Sequence, residues 1–195
     1  MKELFSIDFY GPFIFASDYK DVLSDCKYAN ESGIYIWTVE MPDKTYNVAY
    51  IGETKRTFYI RTKEHIIQQL GGNYRIYEPI LFKKGKAEVI WDGLWRKDSA
   101  HKLPDFLANY LTLAPKIKDF IMMHSIFVAP LKIDANLQKR IEGAIALEVR
   151  KNSEASVLFP DDNKYYTSIP STLDRQLIKV TSTKEIVGLP HEIYI

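Results

Sequence analysis

Apolar and polar residues change period several times along this chain, and each change marks a candidate element. Residues 4–15 carry Leu4, Phe5, Ile7, Phe9, Phe13, Ile14 and Phe15, interrupted at Gly11-Pro12. An apolar run that holds Pro predicts an extended arm or an edge strand, because Pro has no N–H to give to a ladder. Residues 33–40 and 46–52 are rich in Ile, Val, Tyr and Trp and read as strands. Met41-Pro42-Asp43-Lys44 between them is turn chemistry, so the two strands form an antiparallel hairpin.

The period then becomes helical. Thr57 is a predicted N-cap and Gly71-Gly72 a predicted stop for a helix over 57–70. Tyr59, Ile66 and Leu70 share a stripe, with Ile60 and Ile67 beside it, and this stripe is expected to pack on a sheet. Residues 87–91 read as a short strand. Residues 103–122 read as mostly helical, with Pro104 near a start and Pro115 as an interruption. Residues 124–131 read as a strand. Asp134 caps a predicted helix over 135–151 whose Leu137, Ile141, Ile145 and Val149 fall on one face. Turns are expected at Pro160-Asp161-Asp162-Asn163 and Ile169-Pro170-Ser171, and short strands at 176–181 and 185–189.

Composition changes this picture little. A chain of 195 residues is one domain, or one domain with a large insertion. The single Cys26 cannot close an internal disulfide. No signal-peptide pattern and no membrane-length apolar run is present, so a soluble, cytoplasmic protein is expected. The net charge of +1 gives no support to a nucleic-acid partner, though a local patch suffices to contact phosphates. Lys55-Arg56, Lys83-Lys84-Gly85-Lys86 and Arg96-Lys97 are such local clusters.

The candidate chemistry gathers in two places. Arg61 and His65, four apart, fall on one helix face and are expected to project from the packing rim into a groove. Arg suits phosphate because its planar fork donates parallel hydrogen bonds and stays charged. His titrates near neutral pH or orients a neighbour. Glu142 sits beside Ile141 at the edge of an apolar helix face, with Glu148 as its rival on the same helix. One carboxylate is enough for Mg²⁺, which keeps several waters. Tyr35 and Tyr50 are packing residues by default, and become plausible bases only if Arg61, Lys55 or a metal lowers their pKa.

Gly33-Ile34-Tyr35 and Tyr50-Ile51-Gly52, followed by Arg61 and His65, resemble the GIY-YIG nuclease family. The resemblance implies an α+β fold with a small, mainly antiparallel three-stranded core sheet flanked by helices. Its core would be about 33–70 and 124–152, its insertion about 72–122, and its C-terminal extension 153–195, all in one domain. The third core strand would be either 86–91 or 124–131. The family's active site carries over to Tyr35, Tyr50, Arg61, His65 and Glu142, with Glu142 binding one Mg²⁺ or Mn²⁺. Asn152, or else Asn163, would support the site, and Gly33 and Gly52 would be structural. Lys55, Lys83, Lys84 and Lys86 are candidate substrate contacts. The implied activity is metal-dependent hydrolysis of DNA by a small stand-alone enzyme, similar to the restriction endonucleases of the family, with a homodimer allowed. The alternatives are a non-cleaving nucleic-acid-binding module and an RNA nuclease, in which Trp91, Trp95 and Tyr74 would stack on unpaired bases.

Overall fold

The computed structural model of the chain describes residues 3–15, 27–95, 97–159 and 176–195. The predicted turns at 160–163 and 169–171, with Asn163, lie outside these residues, as do Cys26 and Arg96.

Nine strands and six α-helices are present among the described residues. The strands are β1 (Glu3–Ile14), β2 (Gly33–Glu40), β3 (Tyr46–Thr54), β4 (Ile76–Tyr77), β5 (Val89–Trp91), β6 (His124–Pro130), β7 (Leu177–Ser182), β8 (Ile186–Val187) and β9 (Glu192–Tyr194). The helices are α1 (Phe58–Leu70), α2 (Pro79–Phe82), α3 (Leu103–Ala108), α4 (Tyr110–Met122), α5 (Ala135–Lys151) and α6 (Ser153–Ser156), with a 3₁₀ segment at Lys97–Lys102.

The expected small three-stranded core sheet is not what forms. Seven strands build one mixed sheet in the order β8-β3-β2-β6-β1-β7-β9, and β4 and β5 make a separate pair. The strands β3, β2 and β6 are antiparallel neighbours at its centre. The choice for the strand beside β2 therefore falls on 124–130, and 89–91 pairs elsewhere.

The sheet grows because of β1. The expected arm or edge strand lies between β6 and β7, antiparallel to the first and parallel to the second. Pro12 is tolerated there because the pairing with β6 shifts register between Tyr10 and Phe13, where the ladder does not need its missing N–H. β7 then brings in β9 beyond it, while β8 adds to the far side of β3 at Tyr46 and Asn47.

Local signals act much as read. Thr57 accepts from the Ile60 N–H at 3.2 Å, and the Asp134 carboxylate accepts from Asn136 and Leu137. The predicted interruption at Pro115 does not occur. Pro115 lies inside α4, and the break falls at Asn109, whose side chain donates to the Asp105 carbonyl.

β2 and β6 are buried along nearly their whole length, so both sheet faces are covered. One face, with Ile34, Ile36, Ile51 and Phe127, packs against Ile141, Ile145 and Val149 of α5. The other, with Tyr35, Trp37, Ile126 and Val128, packs against Phe58 of α1 and the helices of segment 71–122.

Candidate active site

The two glycine-tyrosine motifs are register partners. On paired β2 and β3, Tyr35 lies opposite Gly52 and Trp37 opposite Tyr50. A Cβ on Gly52 would come within 2.4 Å of Tyr35 Oη and 2.8 Å of Tyr50 Cε1, so glycine there lets both rings lie over the strand. Gly33 has φ +153°, and a Cβ on it would reach 2.0 Å from the Ala129 carbonyl oxygen of β6. The rings of Tyr35 and Tyr50 sit 6.0 Å apart.

α1 lies across these rings, but not by its predicted stripe. Of that stripe only Ile66 packs, half-buried, against the core; Tyr59, Ile60, Ile67 and Leu70 are exposed, and the buried face is Phe58, Thr62, His65 and Gln69. The sheet beneath offers Tyr35, Trp37 and Tyr50, aromatic rings with polar tips that a helix face of mixed polarity can satisfy. His65 is therefore not at a groove rim but inside. Its ring contacts those of Tyr35, Trp37, Tyr50 and Tyr74 at 5.7, 5.6, 5.2 and 5.7 Å.

Hydrogen bonds join the helix to the motifs. Arg61 Nε–H donates to Tyr35 Oη at 3.0 Å, and Tyr35 Oη lies 2.8 Å from His65 Nε2. Tyr35 thus accepts from Arg61 and keeps its own proton to give to His65.

The electrostatics follow from burial. Burial, with the positive charge of Arg61 adding to it, draws His65 down to about 3, so it is neutral at any ordinary pH. Burial holds Tyr35 well above its usual value, and Tyr50 is raised for the same reason, against the pull of Arg61. Burial alone would make Arg61 less basic, but the phenols of Tyr35 and Tyr50 and the carboxylate of Glu64 outweigh it, and Arg61 is a permanent cation.

Glu142 arrives from the other side of the sheet. α5 packs on the apolar face, yet the Glu142 carboxylate lies close enough to Tyr50 to push its pKa up. Tyr50 lies where β3 has no strand neighbour on its outer side among the described residues, since β8 covers only Tyr46 and Asn47. The phase of α5 is set one turn earlier by Gln138, fully buried, whose Nε2 donates to the Gly33 carbonyl at 3.1 Å, the Thr54 carbonyl at 2.9 Å and Glu53 Oε2 at 2.9 Å. The rival Glu148 pairs with Lys151 at 2.6 Å on the surface.

Other sequence candidates lie elsewhere. Lys55 is exposed and donates to the Ile133 carbonyl at 2.6 Å. Asn152 caps α6, accepting from the Glu154 and Ala155 N–H groups, and lines a separate cleft of about 840 Å³ with β7 and β8. Lys83, Lys84 and Lys86 are exposed in the turn after α2.

Three residues of this network are not among the catalytic candidates of the sequence. Gln138 is a polar residue on the buried side of α5. Glu64, three residues after Arg61, holds Arg61 Nη1 at 3.3 Å and also binds Arg56, with Nη2 at 2.6 Å. Tyr74 feels the charges of both Arg61 and Glu64. The spacing of Glu64 from Arg61 is a readable signal. Tyr74 is brought in only by the path of the segment after α1.

Compared with known proteins, the chain matches no family model, no curated protein and no solved structure.

Proposed function

We propose that this chain is a divalent-metal-dependent endonuclease that hydrolyses DNA phosphodiesters, working in the manner of the GIY-YIG nucleases that its motifs resemble. The observation that carries this reading is the meeting of Tyr35, Tyr50, Arg61 and His65, drawn from two strands and one helix, at a place where the charge of Glu142 on α5 also reaches Tyr50. A purely structural role for these residues would not need a half-buried arginine beside two phenols and a carboxylate.

Arg61 is the phosphate contact in this reading. Nε is committed to Tyr35 and Nη1 to Glu64, which has Arg56 as a second partner. An incoming phosphate displaces Glu64 and takes up a fixed cation whose attraction grows as charge builds on the phosphate oxygens. His65 holds Tyr35 in place through its ring nitrogen. Tyr50, the less buried of the two phenols, would serve as the base only as a phenolate, after releasing its own proton to solvent under the pull of a bound cation, and would then take the proton from the attacking water.

Glu142 and the Tyr50 hydroxyl are hard oxygen donors, which fit Mg²⁺ or Mn²⁺ retaining most of its waters. Among the described residues no group of three or more His, Cys, Asp or Glu is placed to hold a metal, so a site here would rest on the Glu142 carboxylate, with the Tyr50 hydroxyl and water completing it. A cation bound there supplies charge to the leaving oxygen and lowers the pKa of the neighbouring phenol. A cytoplasmic location and a homodimer belong to the same proposal. No helix among the described residues is long and apolar enough to cross a membrane.

One observation favours a second reading, a non-cleaving nucleic-acid-binding module. In the protein alone, both phenols are shifted up and the imidazole down, so none of the three titrates near neutral pH. The test is nicking of supercoiled plasmid with Mg²⁺ or with EDTA, using the wild type and Glu142→Gln. Hydrolysis predicts metal-dependent nicking that Glu142→Gln lowers by about 10³-fold, with the circular dichroism spectrum unchanged. DNA retardation without nicking under any metal condition supports the binding module.

A further inference from the structure

The line of rings that begins in the site does not end there. His65 contacts Tyr74, and Tyr74 contacts Trp95 with centroids 5.9 Å apart and planes tilted by 34°. Trp95 is 66% exposed. A lone exposed indole is ordinary surface. This one is carried on an anchored backbone: its main-chain N–H donates to the Asn73 carbonyl at 3.1 Å, and the Leu94 N–H to the Gly72 carbonyl at 3.0 Å. Gly93, at φ +84°, lies so close to residue 73 that a Cβ would come within 2.7 Å of the Asn73 oxygen. Segment 93–95 is therefore pressed onto segment 72–74, and Trp95 is held beside Tyr74 with most of its surface in water.

We infer that Tyr74 and Trp95 form a stacking shelf for an unpaired nucleobase adjacent to the phosphate that Arg61 binds. This rests on the proposed phosphate site, because Arg61 supplies the anchor from which the shelf is measured. Tyr74 packs on His65, and His65 and Arg61 both reach the Tyr35 hydroxyl, at 2.8 and 3.0 Å, so shelf and anchor adjoin. A base within continuous duplex has both faces covered by its neighbours and cannot lie on an indole. The shelf thus selects strands with at least one unstacked base: single strands, flaps or bulges. Stacking on an aromatic side chain tolerates any base, because every base has a π-face. DNA and RNA present the same chemistry to it.

The experiment reads binding in EDTA, so it does not depend on hydrolysis. Tryptophan emission is followed while oligothymidylate, oligouridylate or a blunt duplex of equal length is added to the wild type, Trp95→Leu and Trp95→Phe. The shelf predicts quenching by single strands, a drop in single-strand affinity of about tenfold in Trp95→Leu, recovery of most of it in Trp95→Phe, and duplex affinity within twofold of wild type. Tighter binding of oligouridylate than oligothymidylate, with the same tenfold drop in Trp95→Leu, identifies RNA as the source of the bases on the shelf. Equal single-strand affinity of Trp95→Leu and wild type overturns it. So does an equal drop on duplex and single strand, which makes Trp95 a general contact surface. Quenching and the tenfold drop in a protein that nicks nothing leave the shelf standing and remove the hydrolysis reading. Metal-dependent nicking by a protein whose Trp95→Leu variant binds single strands as tightly as wild type does the reverse.

Discussion

On one face of the sheet, Ile34, Ile36, Ile51 and Phe127 meet Ile141, Ile145 and Val149 of α5. On the other, Tyr35, Trp37 and Tyr50 meet Phe58, Thr62 and His65 of α1. The first contact is held by area: each fully buried aliphatic side chain contributes about 1.5–3 kcal/mol by leaving water, with no demand on direction. The second is held by direction. Its hydroxyls, imidazole and guanidinium must find one another, since a buried polar group without a partner costs about 1–3 kcal/mol. The same strands thus present a face that gives the fold its stability and a face whose geometry suits chemistry.

Substitutions on each face should separate the two. Arg61→Ala is expected to lower single-turnover cleavage by about 10²–10³ while leaving DNA affinity within a few-fold, because its phosphate contact strengthens in the transition state. Ile145→Ala, at a fully buried position, should do the opposite. It should cost about 2–5 kcal/mol in urea unfolding and leave the rate per folded molecule unchanged. A large rate loss in folded Ile145→Ala would mean that the α5 core also tunes Glu142.

Gly52→Ala tests whether direction alone is being used. The added methyl meets the far end of the Tyr35 side chain, which can swing away, but only by giving up its hydrogen bonds with His65 and Arg61. Turnover should fall by about tenfold or more, with a stability cost of about 1–2 kcal/mol. A wild-type rate would show that Tyr35 need not be fixed.

Acid should weaken the polar face first. His65 is pulled down to about 3, and His124, buried beneath Trp37, to about 4 by burial, against an ordinary value of 6.5. Below pH 6.5 the unfolded chain takes up protons that the folded one refuses. Stability is therefore intact above pH 6.5 and is lost as pH falls from there toward 4 and 3. Between pH 6.5 and 5, each histidine adds up to about 1.4 kcal/mol per pH unit to the slope of the unfolding free energy. His65→Gln should flatten that slope, and an unchanged slope would show that His65 is protonated in the folded protein.

The smallest effect concerns the segment that covers the aromatic face. Lys83, Lys84 and Lys86 are exposed in it. Neutralising all three should reduce the log–log salt slope of DNA binding by about one for each phosphate that a lysine had neutralised. An unaltered slope places this turn away from DNA.

What is legible in the chain is local. The hairpin of β2 and β3, the caps at Thr57 and Asp134, and the α5 stripe of Ile141, Ile145 and Val149 all follow from short-range chemistry and one clear period. The grouping of Tyr35, Arg61 and His65 is legible only through the resemblance to the GIY-YIG family, since spacing alone puts Arg61 and His65 on one helix face and leaves open what that face meets. The extent of the sheet is not. Whether β1 ends as an edge or is flanked on both sides depends on β7, a strand more than 160 residues away in the chain. Nor is the buried face of α1, where the apolar stripe of Tyr59, Ile60, Ile67 and Leu70 is turned to water. A helix buries the face that its partner surface can satisfy, and that surface, Tyr35, Trp37 and Tyr50 laid side by side, exists only once the strands have paired. The reach of the Glu142 charge to Tyr50, and the contacts of Tyr74 and Trp95 beyond His65, are likewise products of tertiary structure: the sequence determined the residue types, and the packing of α5 on the sheet and of segment 72–95 over α1 decided which of them come together.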